Sequence, residues 1–374
     1  MKRNIASWVQ VILFTAFIGF FFIINLILPD KEMSEVENRY LQQLPSFSVD
    51  DLESGKFTSD FEKYTNDQFF MRDQWITIKA ATELASGKKE NNDVYYCEGG
   101  TLIERFTSPD DDTLKQKVEY VNALNDKLDV PVYFAIIPGA AEIWRDKLPA
   151  NAPCDSQKEL IDKVYSWSEA ENVDMYGALA PHAVEYIFYR TDHHWTSRGA
   201  YYGYTALMDA MGMEANPISH YDVKDVSDSF LGTVYSTSGF TWVKPDSIQT
   251  FVDPYDGLEI TNYPQGKPID GMMYDTSYLD KKDKYSMFFG GITPLLEIDT
   301  GNEGLPSLLI IRDSYTDSLT PFLLEHFSEI DIIDLRYNNT DISQYIEEHD
   351  IDSVLVCYSA YNFSIDTNLY KLAR

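Results

Sequence analysis

The residues best suited to chemistry stand in one short run, Thr191-Asp192-His193-His194-Trp195, in a chain of 374 residues that holds only six histidines. Read as an extended segment, the run turns alternate side chains to one face, so Asp192 and His194 point one way and His193 the other. A carboxylate that fixes the tautomer and orientation of an imidazole is two thirds of an acyl-transfer triad, and the missing third is a nucleophile. Ser314 fits that part. It follows the apolar run Leu308–Ile311 and the pair Arg312-Asp313, where a segment of strand length gives way to a helix-like one. In this reading Ser314 is the nucleophile, His194 the general base and Asp192 the carboxylate that orients it.

Each of these residues has a second reading. Ser314 or Asp313 serves equally well as a helix cap after a strand. Asp192 and His194 could form a buried pair that holds a turn. Asp-His-His also suggests a metal, because zinc accepts imidazole and carboxylate ligands. Against this, adjacent strand residues diverge, a catalytic zinc needs a third ligand, and His182, His220, His326 and His349 show no recognisable ligand spacing. The expectation is therefore no metal and no cofactor. His193 reads as a packing or substrate-side residue, and Trp195 as packing beside the triad.

Asp192-His193-His194-Trp195 resembles the signature of the bacterial DHHW protein family, and Asp313-Ser314-Tyr315 resembles the Asp-Ser-aromatic nucleophile block of SGNH-type hydrolases. The combination is similar to the SGNH-hydrolase-like domains of alginate O-acetyltransferases, in which an Asp-x-His-Trp element precedes the serine block. The likeness spans roughly residues 60–362. It implies an α/β, three-layer SGNH-hydrolase-like fold with a parallel central sheet and a permuted motif order. It also implies O-acetyl transfer to the hydroxyls of an exopolysaccharide or cell-wall glycan, with a multi-span membrane acyltransferase as partner and acyl donor. Relatives draw oxyanion and substrate contacts from residues after the later strands. By position the counterparts are Arg336, Tyr337 and Asn362, with His193 and Trp195 as further candidates, although no clean Gly-x-Asn-Asp block is present. Two alternatives stay open: a glycan O-acetyl esterase of the same fold, and a non-catalytic glycan-binding or assembly protein.

The elements that must position these residues follow the rhythm of helix, buried strand, helix that marks a parallel α/β sheet. Strands are expected at Val132–Ile137, Leu308–Ile311, Ile330–Leu335 and Val354–Cys357, each a continuous apolar run as in a sheet covered on both faces. Helices are expected from Leu114 to Leu128, Ser156 to Glu171, Arg198 to Met211, Thr316 to Phe327 and Thr340 to Glu348, and a hairpin around Glu98-Gly99-Gly100. Sites in open sheets form outside the carboxyl ends of the strands, where Ser314, Arg336 to Asn338 and Asn362 fall. Residues 214–300 are rich in Gly, Pro, Asp and Tyr and read as a loop-rich insert that covers the site or shapes a groove. Before the domain, Phe61 to Lys79 carries helical spacing interrupted near Asn66 and Asp67.

No charged residue lies between Arg3 and Asp30, and Ile5–Leu28 is dominated by apolar side chains. Crossing a bilayer takes about 20 such residues. Lys2 and Arg3 precede the segment while Asp30, Glu32, Glu35 and Glu37 follow it, so the positive-inside rule puts the amino terminus in the cytoplasm and the rest outside. The apolar stretch is too long for a signal peptide, and no small-x-small cleavage site follows it. Residues 1–30 are thus expected to be an uncleaved anchor, 31–60 a stalk and 61–374 the extracytoplasmic domain. The formal net charge of −30 argues against nucleic acid, whose binding needs a basic footprint. Cys97, Cys154 and Cys357 supply no disulfide framework.

Overall fold

The computed structural model describes residues 2–34, 36, 37 and 39–374. Glu35, counted above among the acidic residues after the apolar segment, lies outside the described residues, as do the side chains of Lys2 and Arg3. The chain divides into two compact units. One comprises the residues up to Lys88 with Gly239–Thr241, and the other comprises Lys89–Ser238 and Trp242–Arg374.

The first unit is helical. Helix α1, Lys2–Ile27, contains the 23-residue stretch Ile5–Ile27, which is long and apolar enough to cross a membrane. At about 1.5 Å per residue such a stretch matches a hydrocarbon core of about 30 Å. The interruption expected near Asp67 is a break between helices α2, Lys56–Asp67, and α3, Arg72–Ala85. Asp67 accepts a two-pronged pair of hydrogen bonds from Arg39 (2.9 and 2.6 Å). Phe69, in the break, is not buried in a core; it is 40% exposed and stacks on Phe21 of α1 at 5.5 Å.

The second unit is built on an eight-stranded mixed sheet. Its strands, in chain order, are β1 Val132–Ile137, β2 Glu171–Val173, β3 Glu259–Asn262, β4 Ile269–Asp270, β5 Leu295–Asp299, β6 Ser307–Arg312, β7 Glu329–Ile333 and β8 Ser353–Ser359. In space they run β4-β3-β5-β7-β6-β8-β1-β2. The five strands from β7 to β2 are parallel. Every residue of β6 and of β8 is buried, which is why these strands read as unbroken apolar runs instead of alternating ones. β2 was invisible in the sequence because three residues show no period. The insert at 214–300 contributes β3, β4 and β5, which extend the sheet on its antiparallel side.

Helices α4 Asp111–Lys127 and α5 Gln157–Trp167 begin at Asp110 and Ser156, whose side chains accept the N–H groups of Thr113 and Glu159. α5 stops at Trp167, short of the expected Glu171, because the chain there turns into β2. Helix α6, Ser197–Ala210, is capped by Thr196. α7 is Thr233–Ser238, α8 is Ile342–Glu348, and α9 is Ala360–Ile365.

The helix expected from Thr316 to Phe327 is two 3₁₀ runs, Ser314–Ser318 and Thr320–Leu323. Pro321 has no N–H to donate, and the hydroxyls of Thr316 and Thr320 take the Asp313 and Thr316 carbonyls at 3.1 and 2.9 Å, competing with α-helical pairing. The tight turn keeps Ser314 at the mouth of β6.

Candidate active site

The parallel strands β1, β6 and β8 end on one edge of the sheet, and the residues that follow them meet there. The carboxylate of Asp313 gathers that edge together. Its Oδ2 accepts Ser359 N–H (2.8 Å), Ser359 Oγ (2.7 Å) and Asn362 Nδ2 (2.8 Å), and its Oδ1 accepts Tyr315 N–H (3.0 Å). Asp313 thereby ties the end of β6 to the end of β8 and holds the next residue, Ser314, half-buried.

Across this edge comes the turn from Ile187 to Thr196, closed by Tyr189 N–H to the His194 carbonyl (3.2 Å) and Thr196 N–H to the Ile187 carbonyl (2.9 Å). At its tip the chain is bent, not extended as the alternation argument supposed. Asp192 Oδ1 accepts the backbone N–H of His194 at 3.0 Å, a local bond that curls the chain. The two histidines therefore lie side by side, ring centres 3.9 Å apart, and do not face opposite ways.

The structure brings together the three residues assigned to acyl transfer. His194 Nε2 lies 2.7 Å from Ser314 Oγ, and His194 Nδ1 lies 2.6 Å from Asp192 Oδ1. The second Asp192 oxygen accepts Thr233 N–H (2.8 Å) and Thr233 Oγ1 (3.0 Å). Burial alone would raise this carboxyl, but His193, His194 and the hydrogen bonds outweigh it and hold Asp192 below the usual carboxylate range. Burial and the neighbouring His193 push the His194 imidazole below its ordinary value, against the opposing pull of Asp192. At neutral pH the pair is thus a carboxylate beside a neutral imidazole, the state in which Nε2 can take a proton from Ser314.

Several supporting residues gave no sign in the sequence. Tyr285 stacks on the His194 ring at 3.8 Å and 10°, with its hydroxyl 3.1 Å from both the Ser314 carbonyl oxygen and Ser318 Oγ. Thr233 braces Asp192 as described, and its Oγ1 also lies 2.7 Å from His193 Nδ1. Asp246 is fully buried and accepts Thr191 N–H, Thr191 Oγ1 and Arg190 N–H, which fixes the chain entering the tip. All three come from the 214–300 insert. Gly232 belongs to the same insert, as one of the glycines and prolines that punctuate it. A Cβ there would lie 2.2 Å from Asp192 Oδ2, so only hydrogen fits.

The remaining candidates divide. Trp195 has no exposed surface with which to meet a substrate: it is fully buried, and its Nε1 donates to the Tyr315 carbonyl at 2.9 Å. A Cβ at Gly203 of α6 would stand 2.6 Å from the indole, so the glycine makes room for it. Trp195 is a positioning residue for Tyr315 and Ser314, which corrects its place among substrate contacts. Asn362 and Arg336 line a cavity of about 210 Å³ with Asp313, Tyr358 and Asp366. Arg336 is held by both oxygens of Asp334 (2.9 and 2.6 Å), and Tyr337 is 56% exposed. His193, about a third exposed, lines a separate cavity of about 40 Å³ with Glu104, Tyr315, Ser359 and Tyr361.

The side-by-side histidines undo the divergence argument against a metal, since ligand atoms of Asp192, His193 and His194 lie within 4.8 Å of one another. Both ring nitrogens of His194, however, are already engaged by Asp192 and Ser314.

Solved structures share the fold over most of the chain, among them the following. A DHHW family protein from Eubacterium siraeum is 24% identical, with a TM-score of 0.65 over 76% of this chain and 95% of its own. PatB1 of Bacillus cereus, determined with a sulfonyl adduct, is 19% identical, with a TM-score of 0.63 over 73% of this chain and 96% of its own. A weaker likeness, TM-score 0.47 and 14% identity over 75% of this chain and 99% of the other, is to the O-acetyltransferase domain of Pseudomonas putida AlgJ. No match was found among curated proteins. The sequence model of the DHHW protein family matches residues 99–333, a span that includes both the Asp-His-His-Trp run and Ser314, and the chain belongs to that family.

Proposed function

We propose that the chain is a membrane-anchored, extracytoplasmic SGNH-like acyltransferase that moves an acetyl group onto hydroxyls of an exopolysaccharide or cell-wall glycan. The observation that carries this reading is the unbroken hydrogen-bonded series Ser314 Oγ, His194 Nε2, His194 Nδ1, Asp192 Oδ1, at 2.7 and 2.6 Å. Ser314 Oγ attacks the acyl carbonyl as its proton passes to His194 Nε2, and Asp192 stabilises the imidazolium that forms. The backbone N–H of Ser314, at the head of its 3₁₀ turn, is the donor assigned to the developing oxyanion. Collapse expels the donor's leaving group, which takes the proton from His194. A glycan hydroxyl then gives its proton to His194 and attacks the ester carbonyl, and Ser314 is regenerated when it takes that proton back.

The sulfonyl adduct of PatB1 supports the reading, because a sulfonyl group is captured by an activated nucleophile, the property assigned here to Ser314. The apolar helix Ile5–Ile27 supports the anchor, and the acidic residues beyond it support an exterior domain. A multi-span membrane acyltransferase is the acyl donor that fits this placement.

The test is labelling of the full-length protein in detergent with a serine-directed fluorophosphonate. Labelling is expected and is expected to vanish in Ser314→Ala; labelling that survives the substitution contradicts the assignment. A folded wild type that takes no label favours the glycan-binding alternative. Acetate release from an activated ester that is not speeded by added glycan favours the esterase.

A further inference from the structure

The sheet edge remote from Ser314 carries a second concentration of chemical groups. Glu329 and Asp331 alternate along β7 and so share one face. Glu297 and Asp299 of β5 stand directly opposite Asp331 and Glu329 in antiparallel register, which puts them on that face too. Glu329 in turn pairs with Ser307, the first residue of the strand whose far end leads to Ser314. His349, the C-cap of α8, comes over the same face, with Nδ1 3.8 Å from Asp331 Oδ2.

Like charges directly opposite one another destabilise a sheet, and a buried carboxylate needs a partner. Among the described residues no lysine or arginine lies within ion-pair distance of Glu297, Glu329 or Asp331. Asp331 is fully buried; its Oδ2 accepts Tyr345 Oη–H at 2.8 Å, while its Oδ1 is buried without a hydrogen-bond partner. Tyr345 also stacks on the His349 ring at 4.0 Å and 15°, so one tyrosine orients both groups. Ligand atoms of Glu329, Asp331 and His349 lie within 4.8 Å of one another, and Glu329 and His349 are half-buried, which leaves a way in from solvent.

We propose that Glu329, Asp331 and His349 form a site for a divalent transition-metal cation, with Tyr345 orienting two of its ligands. An imidazole with two carboxylates suits zinc or manganese better than calcium or magnesium, which take oxygen alone. Ligands of a tetrahedral zinc stand roughly 3.4 Å apart, so binding draws together ligand atoms that here lie within 4.8 Å of one another. The cation furnishes the missing countercharge and ties the end of α8 to β7. Its role is structural and independent of the Ser314 chemistry.

The experiment uses the full-length protein in detergent, stripped by chelator and titrated with Zn²⁺, Mn²⁺ and Ca²⁺ by calorimetry and thermal melting. One Zn²⁺ or Mn²⁺ per chain is expected, bound more tightly than Ca²⁺ and raising Tm. Tyr345→Phe is expected to weaken binding roughly 10–100-fold as an outer partner does, and Asp331→Asn and His349→Gln by more. His193→Ala, in the other histidine cluster, is expected to leave this binding intact. Zinc binding that is unchanged in both Asp331→Asn and His349→Gln overturns the proposal, as does a folded wild type that binds no transition metal or prefers Ca²⁺. If Asp331→Asn does not fold, His349→Gln, at a half-exposed position, decides the matter alone.

Discussion

Replacing Gly232 by alanine tests how the carboxylate orients the base without replacing any of the three triad side chains. The added Cβ would stand 2.2 Å from Asp192 Oδ2, 2.3 Å from its Cβ and 2.6 Å from its Cγ, where ordinary contact begins at 3.4 Å. Something must move by about 1 Å, and the Gly232 backbone is pinned by its N–H to Thr191 Oγ1 (3.2 Å) and by the Thr233 bonds to Asp192. The Asp192 carboxylate is therefore displaced from His194 Nδ1, and the imidazole turns with respect to Ser314. A misplacement of about 1 Å costs on the order of 10²-fold in rate. Complete loss of the orienting carboxylate costs about 10⁴-fold in a serine triad. Overpacking of this kind costs about 1–3 kcal/mol in stability. The assay is the second-order rate of fluorophosphonate labelling, with circular dichroism and a melting curve as folding controls. A rate 10²- to 10⁴-fold below wild type in a folded variant is expected. A folded Gly232→Ala protein that labels within about threefold of wild type would falsify the role given to Asp192.

The labelling rate should depend on pH in one direction. His194 is held below its ordinary value and acts as the neutral base, so the rate is lost as pH falls through that lowered value and is flat above about 6.5. The same shift makes folded His194 reluctant to take a proton, so its contribution to stability falls as pH drops below 6.5, and His194→Gln should flatten that part of the stability profile. Trp195→Phe keeps most of the packing but leaves the Tyr315 carbonyl without its 2.9 Å donor; a loss of about 1–3 kcal/mol in denaturant unfolding is expected, and no loss would mean that the bond is immaterial. Removal of residues 1–30 is expected to release the protein from membranes into the soluble fraction, whereas continued sedimentation with membranes would place the anchor elsewhere.

Much of the scaffold is legible in the residues because burial on both faces leaves a mark that needs no partner to read. Leu308–Ile311, Val132–Ile137 and Val354–Cys357 are continuous apolar runs for that reason, and Asp110, Ser156 and Thr196 announce their helices through a local hydrogen bond. Thr316–Phe327 misleads because its apolar spacing is helical while Pro321 and two threonine hydroxyls deny it α-helical bonds. The insert reads as loop-rich, since its strands on the margin of the main sheet have two to five residues and no clear period, and the seven-residue strand Lys224–Phe230 is mostly polar.

The sequence by itself determined which side chains could do chemistry: the Asp-His-His-Trp run, the serine at a strand end and a long uncharged apolar helix are properties of neighbouring residues. Only the tertiary structure decided that His194 reaches Ser314 across 120 residues, that Trp195 is sealed in the core, and that Thr233, Asp246 and Tyr285 brace the tip. It also carried His349 to Glu329 and Asp331, a meeting that no spacing announces. The physical reason is range. Capping, turns and hydrophobic period act over a few residues and are written in order along the chain, whereas a hydrogen bond between distant residues exists only once the sheet has set their separation.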